Sequence, residues 1–296
     1  MKRVGVCPAR DSVKGTRTTG RPSGDPRDDL LIRRAMDEHD AKAPRPLVEV
    51  LVVFLATTAA TVGITLAAGV LPGLDGYVPL LVGGVFLITA VKLSQRQPGG
   101  MRRFGIDLAG VLTPPDPDDA RAPGPLGLFD LARALRDAAP SALRETSVAV
   151  GLALLIFPIF TVGFWLYHEP AAAFRWSLPS DFGEFALTQL VVVALPEEAL
   201  FRGWMQTRLA DRWPAKHRFL GVDVRVLLLQ SALFAVLHFV SPPFSPARLA
   251  VFFPGLVFGW LRAWRGGIGA AMLFHAMCNV LAMFLEHGWS LRQAME

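Results

Sequence analysis

Apolar and polar positions alternate along this chain in blocks rather than residue by residue. Residues 47–71 (LVEVLVVFLATTAATVGITLAAGVL) form one apolar block interrupted by Glu49, and residues 77–91 form a second after a turn with Gly73, Asp75 and Gly76. A helix needs about 20 such residues to cross a hydrocarbon core. Further runs near 147–167, 183–206, 224–240, 248–264 and 268–286 bring the expectation to about seven spans. The fold class expected is all-α, a polytopic transmembrane helical bundle.

The polar blocks divide the chain. Residues 1–45 lack an apolar run and are rich in Arg, Asp, Gly, Pro and Thr, the composition of a disordered tail. The tail shows no h-region of a cleavable signal, and Met36 is an alternative start. Residues 46–95 are expected to form a transmembrane hairpin. Residues 96–145 read as a cytoplasmic linker with Pro114, Pro115 and Pro117, ending in LFDLARALRDAAPSALRE. The spacing there predicts an interfacial helix, the alternative being an exposed connecting helix. Residues 146–290 form the remaining core.

Composition supports the membrane reading: 52% of residues are hydrophobic and 19% charged, against roughly a quarter charged in soluble domains. The formal charge of +5 is explained by loop arginines rather than by nucleic acid, which is not expected as a partner. Arg102 and Arg103 follow the second span, Arg208, Arg212, Lys216, Arg218 and Arg225 the fourth, and Arg262 and Arg265 the sixth. Basic loops stay in the cytoplasm, so the N-terminus is expected inside and the C-terminus outside. The two cysteines, Cys7 and Cys278, give neither a disulfide framework nor a CxxC metal pair.

Ionisable groups inside spans cost about 2.5–3.5 kcal/mol on insertion scales and are paired, solvated or functional. Three spans carry such groups together with motif neighbours: Glu197, Glu198 and Arg202 in VVVALPEEALFRGW, His238 with Phe234 in SALFAVLHFV, and His275 with the amide Asn279 in MLFHAMCNVL. Glu198 and Arg202 are four apart with the acid N-terminal, the favoured ion-pair orientation, and so are read as structural support. Glu197 is rotated by about 100° from Glu198 and is free to point into a polar cavity. His275 and Asn279 share a helix face. Pro196 removes a backbone donor just before the glutamates, while Gly266, Gly267, Gly269, Ala270 and Ala271 permit close helix approach. His39, His168, His217 and His287 fall in tails or loops and are read as ordinary surface residues. Interhelical hydrogen bonding is the plain alternative for any single histidine.

The three motifs in this order, EEALFR, FAVLH and HAMCN, match the pattern EExxxR, FxxxH, HxxxN. The chain resembles the CPBP family of type II CAAX prenyl endopeptidases and bacteriocin-processing (Abi) proteins over about residues 147–286. The resemblance implies a glutamic intramembrane endopeptidase in which Glu197 is the general base and His238 holds and polarises the water. It further implies that His275 and Asn279 donate to the oxyanion. Phe234 is carried over with Glu198 and Arg202 as structural support. No cofactor is implied. The alternative is zinc, since one Glu and two His can hold it with an open fourth position, although no HExxH is present. A non-catalytic immunity or transport protein is the alternative of another class. The expected partners are the lipid bilayer and a membrane-anchored protein or peptide, CAAX-like or with a C-terminal sorting signal as in myxosortase-like processing. The expected location is a bacterial inner membrane.

Overall fold

The computed structural model describes residues 45–112, 131–213, 218–219 and 221–291. The expected disordered tail, with Cys7, Met36 and His39, lies outside these residues, as do Pro114, Pro115, Pro117, Lys216 and His217. Seven long helical segments are found among the described residues. They are α1 (Pro46–Ala68), α2 (Val78–Gln95), α3 (Leu131–His168), α4 (residues 182–212), α5 (Val224–Val240), α6 (Phe252–Arg265) and α7 (Gly269–Gly288). The described strands are Arg218–Phe219 and Val222–Asp223, a two-residue antiparallel pair between α4 and α5. The protein is an all-α polytopic membrane protein.

The seven segments coincide with the seven expected spans but are unequal. Among the described residues, four helices are long and apolar enough to cross a membrane: Pro46–Ala68, Asp75–Gln95, Leu135–His168 and Gly269–Gly288. Helix α5 has 17 residues and α6 has 14. The run read as starting at 248 begins in a 3₁₀ turn, Pro246–Val251, which shortens α6. Helix α3 differs from expectation in the other direction. The amphipathic piece and the following span are one helix from Leu131 to His168, with Pro140 and Pro158 inside it. Leu154, Leu155 and Ile159 on α3 are exposed, an apolar surface suited to lipid.

Apolar helices keep their polar groups bonded internally. On α1, the hydroxyls of Thr57, Thr61 and Thr65 donate to the carbonyls of Val53, Thr57 and Thr61 at 2.8, 2.9 and 2.9 Å. Short connections place successive helices antiparallel, and contacts sort their ends into two groups. At one end, Arg208 binds Glu49 and Asp211, each at 2.6 Å. Arg103 reaches Asp211 there, and Arg265 grips Glu145 at 2.7 and 3.1 Å. The Ile268 N–H donates to the Gly105 carbonyl at 3.0 Å. Gly105 has φ +64°, and a Cβ on it would lie 2.7 Å from the Gly266 carbonyl oxygen, so this crossing requires glycine. At the other end, the Arg175 N–H donates to the Gly288 carbonyl at 2.9 Å, and Phe174 packs on Phe284 and Trp289.

Candidate active site

Helix α4 does not wind uniformly. Two π-helical segments, Gln189–Ala194 and Ala199–Met205, flank the single α-helical turn Leu195–Glu198. Such windings are rare and are frequently found at functional sites. Pro196 has no N–H to return to the carbonyl four residues back. The backbone of α2 lies over that carbonyl instead, because a Cβ on Gly83 would be 2.4 Å from the Val192 oxygen and 3.3 Å from Pro196 Cγ. The close approach of α2 thus depends on glycine at 83 and holds the glutamate turn from one side.

The two glutamates part as their rotation requires. Glu198 is fully buried, and its Oε1 accepts from Arg202 Nη1 and from His275 Nδ1, both at 2.9 Å. Arg202, also fully buried, lies with its guanidinium carbon 4.1 Å from the Phe234 ring centroid and 5.0 Å from that of Phe258. Desolvated cation–π contacts of this kind contribute about 2 kcal/mol or more. Arg202 Nη2 donates to the Gly255 carbonyl at 3.4 Å, linking α4 to α6. His275 stacks on Phe258 at 4.7 Å and 17°. Phe234 therefore covers the cation with its ring, while its carbonyl takes His238 Nδ1 at 2.9 Å. A carbonyl only accepts, so Nδ1 carries the proton and Nε2 of a neutral His238 offers a lone pair.

Glu197 faces elsewhere. With His238 it lines a cavity of about 230 Å³, whose buried floor includes Thr61, Gly83 and Phe86. Its Oε2 is buried without a hydrogen-bond partner and lies 3.8 Å from His275 Nε2. A buried polar oxygen left unpaired is costly unless something polar reaches it. Four of the sequence candidates, Glu197, Glu198, Arg202 and His275, thus form one connected cluster, and His238 joins it across the cavity.

Asn279 is placed differently. Its Nδ2 donates to Gln189 Oε1 at 2.8 Å, and it does not line the Glu197 cavity. Sequence reasoning passed over Gln189. It also passed over Gln206 and Gln230, which tie α4 and α5 to α6 by donating to the Gly259 and Gly255 carbonyls at 2.8 and 3.1 Å. An amide inside an apolar run is the signal that also marks Asn279, and Gln189, Gln206 and Gln230 carry it without belonging to any of the three motifs. Among the described residues, no three His, Cys, Asp or Glu side chains gather closely enough to hold a metal.

Residues 179–281 match the family described as type II CAAX prenyl endopeptidase Rce1-like. That stretch contains Glu197, Glu198, Arg202, Phe234, His238, His275 and Asn279 and leaves α1 to α3 outside it. No curated protein and no solved structure matches the chain.

Proposed function

We propose that this chain, whose residues 179–281 match the Rce1-like type II CAAX prenyl endopeptidases, hydrolyses a peptide bond of a membrane-associated substrate with water activated by Glu197. The observation that carries the reading is the unpaired carboxylate oxygen of Glu197 on a cavity that His238 also lines. The family indicates a protease, and the apolar helices place it in a membrane. The water mechanism, the residue roles and the substrate are our proposal, as is a bacterial inner membrane.

In this mechanism His238 Nε2 accepts from the water and Glu197 removes its second proton as the oxygen attacks the substrate carbonyl carbon. General-base assistance of this kind is worth about 10² to 10⁴ in rate. Asn279 stands outside the cavity that Glu197 lines, and its second N–H, besides the one given to Gln189, meets the tetrahedral oxyanion where the substrate carbonyl extends past His275 toward α7. His275, held at Nδ1 by Glu198, turns its Nε2 toward the Glu197 oxygen at 3.8 Å and is the second contact assigned to the oxyanion. Collapse breaks the C–N bond, and Glu197 passes its proton to the departing amine. Glu198 and Arg202 hold the His275 ring in place. The CAAX-like and C-terminal sorting-signal substrates both satisfy this chemistry, the second being a myxosortase-like role.

The test is cleavage of membrane-anchored and prenylated peptides by detergent-purified protein, wild type and Glu197→Gln, with and without chelator. Cleavage that survives chelator and disappears in the variant supports the proposal. Cleavage abolished by chelator and restored by zinc would replace it with a metalloprotease. A folded wild type that cuts no substrate in the panel, in a strain whose deletion leaves every precursor processed normally, would favour the non-catalytic reading.

A further inference from the structure

The cavity has a direction. Its floor is Thr61, Gly83 and Phe86, all buried, while Pro79 is exposed and Thr65, Ser241 and Arg248 are half-buried. Those four lie near the end of α1, the start of α2, the end of α5 and the turn before α6. All are the helix ends away from the cluster in which Arg103, Arg208 and Arg265 meet Asp211, Glu49 and Glu145. The mouth is thus at the end of the bundle opposite the arginine belt. Arg248 fixes its rim by donating to the Ser241 carbonyl at 2.9 Å.

Charge separates the two ends. The belt end carries Arg96, Arg102, Arg103, Arg208, Arg212, Arg262 and Arg265 along with Glu49, Asp107, Glu145 and Asp211, whereas the mouth end carries Arg175 and Arg248 beside Asp75, Glu169, Asp181 and Glu184. Lysine and arginine in short loops remain on the cytoplasmic side, and acidic residues contribute little to orientation. The belt therefore faces the cytoplasm, and the mouth opens on the opposite surface.

We infer that the substrate is a polypeptide already translocated across the membrane, whose scissile bond enters this cavity from the non-cytoplasmic face. The inference rests on the protease reading of Glu197 for its chemistry, but its orientation rests on charge and cavity geometry alone. It chooses between the two substrate classes. A C-terminus prenylated in the cytoplasm lies at the belt surface, separated from Glu197 by the packed ends of α2 and α4. The membrane-proximal segment of an exported protein lies at the mouth.

Two measurements test it. In a chain with Cys7→Ser and Cys278→Ala, single cysteines are introduced by Pro79→Cys or Gly76→Cys at the mouth end and by Arg102→Cys at the belt. Intact cells are then treated with a membrane-impermeant maleimide. Labelling of the mouth-end variants in intact cells, and of Arg102→Cys only after permeabilisation, is expected; the reverse pattern overturns the inference, and Gly76→Cys decides if Pro79→Cys fails to accumulate. The second measurement presents one membrane-anchored reporter in two orientations, with its cleavage segment outside or inside the cytoplasm. Cleavage of the outside form alone, lost in Glu197→Gln, is expected. Cleavage of the inside form alone keeps the protease reading and overturns the inferred access. Cleavage of neither overturns the protease reading and the substrate class with it, while the labelling still decides orientation.

Discussion

Glu197 and Glu198 are adjacent in sequence but differ in surroundings, and substitutions should separate them. Glu198 neutralises Arg202 in an environment closed to water. Removing one member of a buried pair leaves an uncompensated charge and costs about 3–5 kcal/mol. Glu198→Gln is therefore expected to lower the thermal midpoint in detergent sharply and to reduce folded yield. Glu197→Gln keeps an isosteric side chain on a cavity wall, so its midpoint should stay near wild type while turnover falls to background. Equal thermal shifts in the two variants would contradict this division. Asn279 permits a second test. As an oxyanion donor its loss should lower kcat by about 10² to 10³ with little change in KM. Gln189→Ala, which frees the Asn279 amide from its 2.8 Å partner, should lower kcat by a smaller factor, on the order of tenfold. Steady-state kinetics on one peptide measure both, and a change confined to KM would remove Asn279 from the oxyanion site.

At the level of elements, position 83 is a sensitive point of the scaffold around the site. A single methyl group there meets the Val192 carbonyl, and overpacking of this kind costs about 1–3 kcal/mol. Gly83→Ala is expected to lower both the thermal midpoint and turnover, because α2 and the glutamate turn must move apart. At Gly84 nothing lies within 4 Å of an added Cβ, so Gly84→Ala should leave both unchanged; similar losses at the two positions would show that the contact is not limiting. The same elements mark what the sequence made legible. Block lengths located the helices because lipid demands long apolar runs, and four-residue spacing foresaw the Glu198–Arg202 contact. The π-helical windings of α4 were not legible. The missing N–H at Pro196, with the Val192 carbonyl covered by a glycine more than a hundred residues away, leaves the apolar pattern unbroken. The continuity of α3 was obscured because its polarity changes near Glu145 without any change in backbone conformation.

For the molecule as a whole, the matched family segment supplies the motif residues but only part of the cavity. Glu197, His238 and Arg248 come from within residues 179–281, whereas Thr61, Thr65, Val78, Val82 and Gly83 come from α1 and α2. If catalysis needs only the motif residues held in place by α4, α5 and α7, changing the far wall should be neutral. If substrate occupies the cavity, filling that wall should block it. Val82 is half-buried on α2 and lines the cavity without bearing on the Glu198–Arg202 pair. Val82→Trp adds an indole to a space of about 230 Å³ and is expected to cut kcat/KM by more than tenfold, with folding retained by thermal unfolding. Val82→Ala, which enlarges the same space, should retain activity on peptides with a bulky residue at the cleavage site. A tryptophan variant as active as wild type would show that substrate reaches Glu197 by another route, and the α1–α2 hairpin would then serve only to hold the glutamate turn.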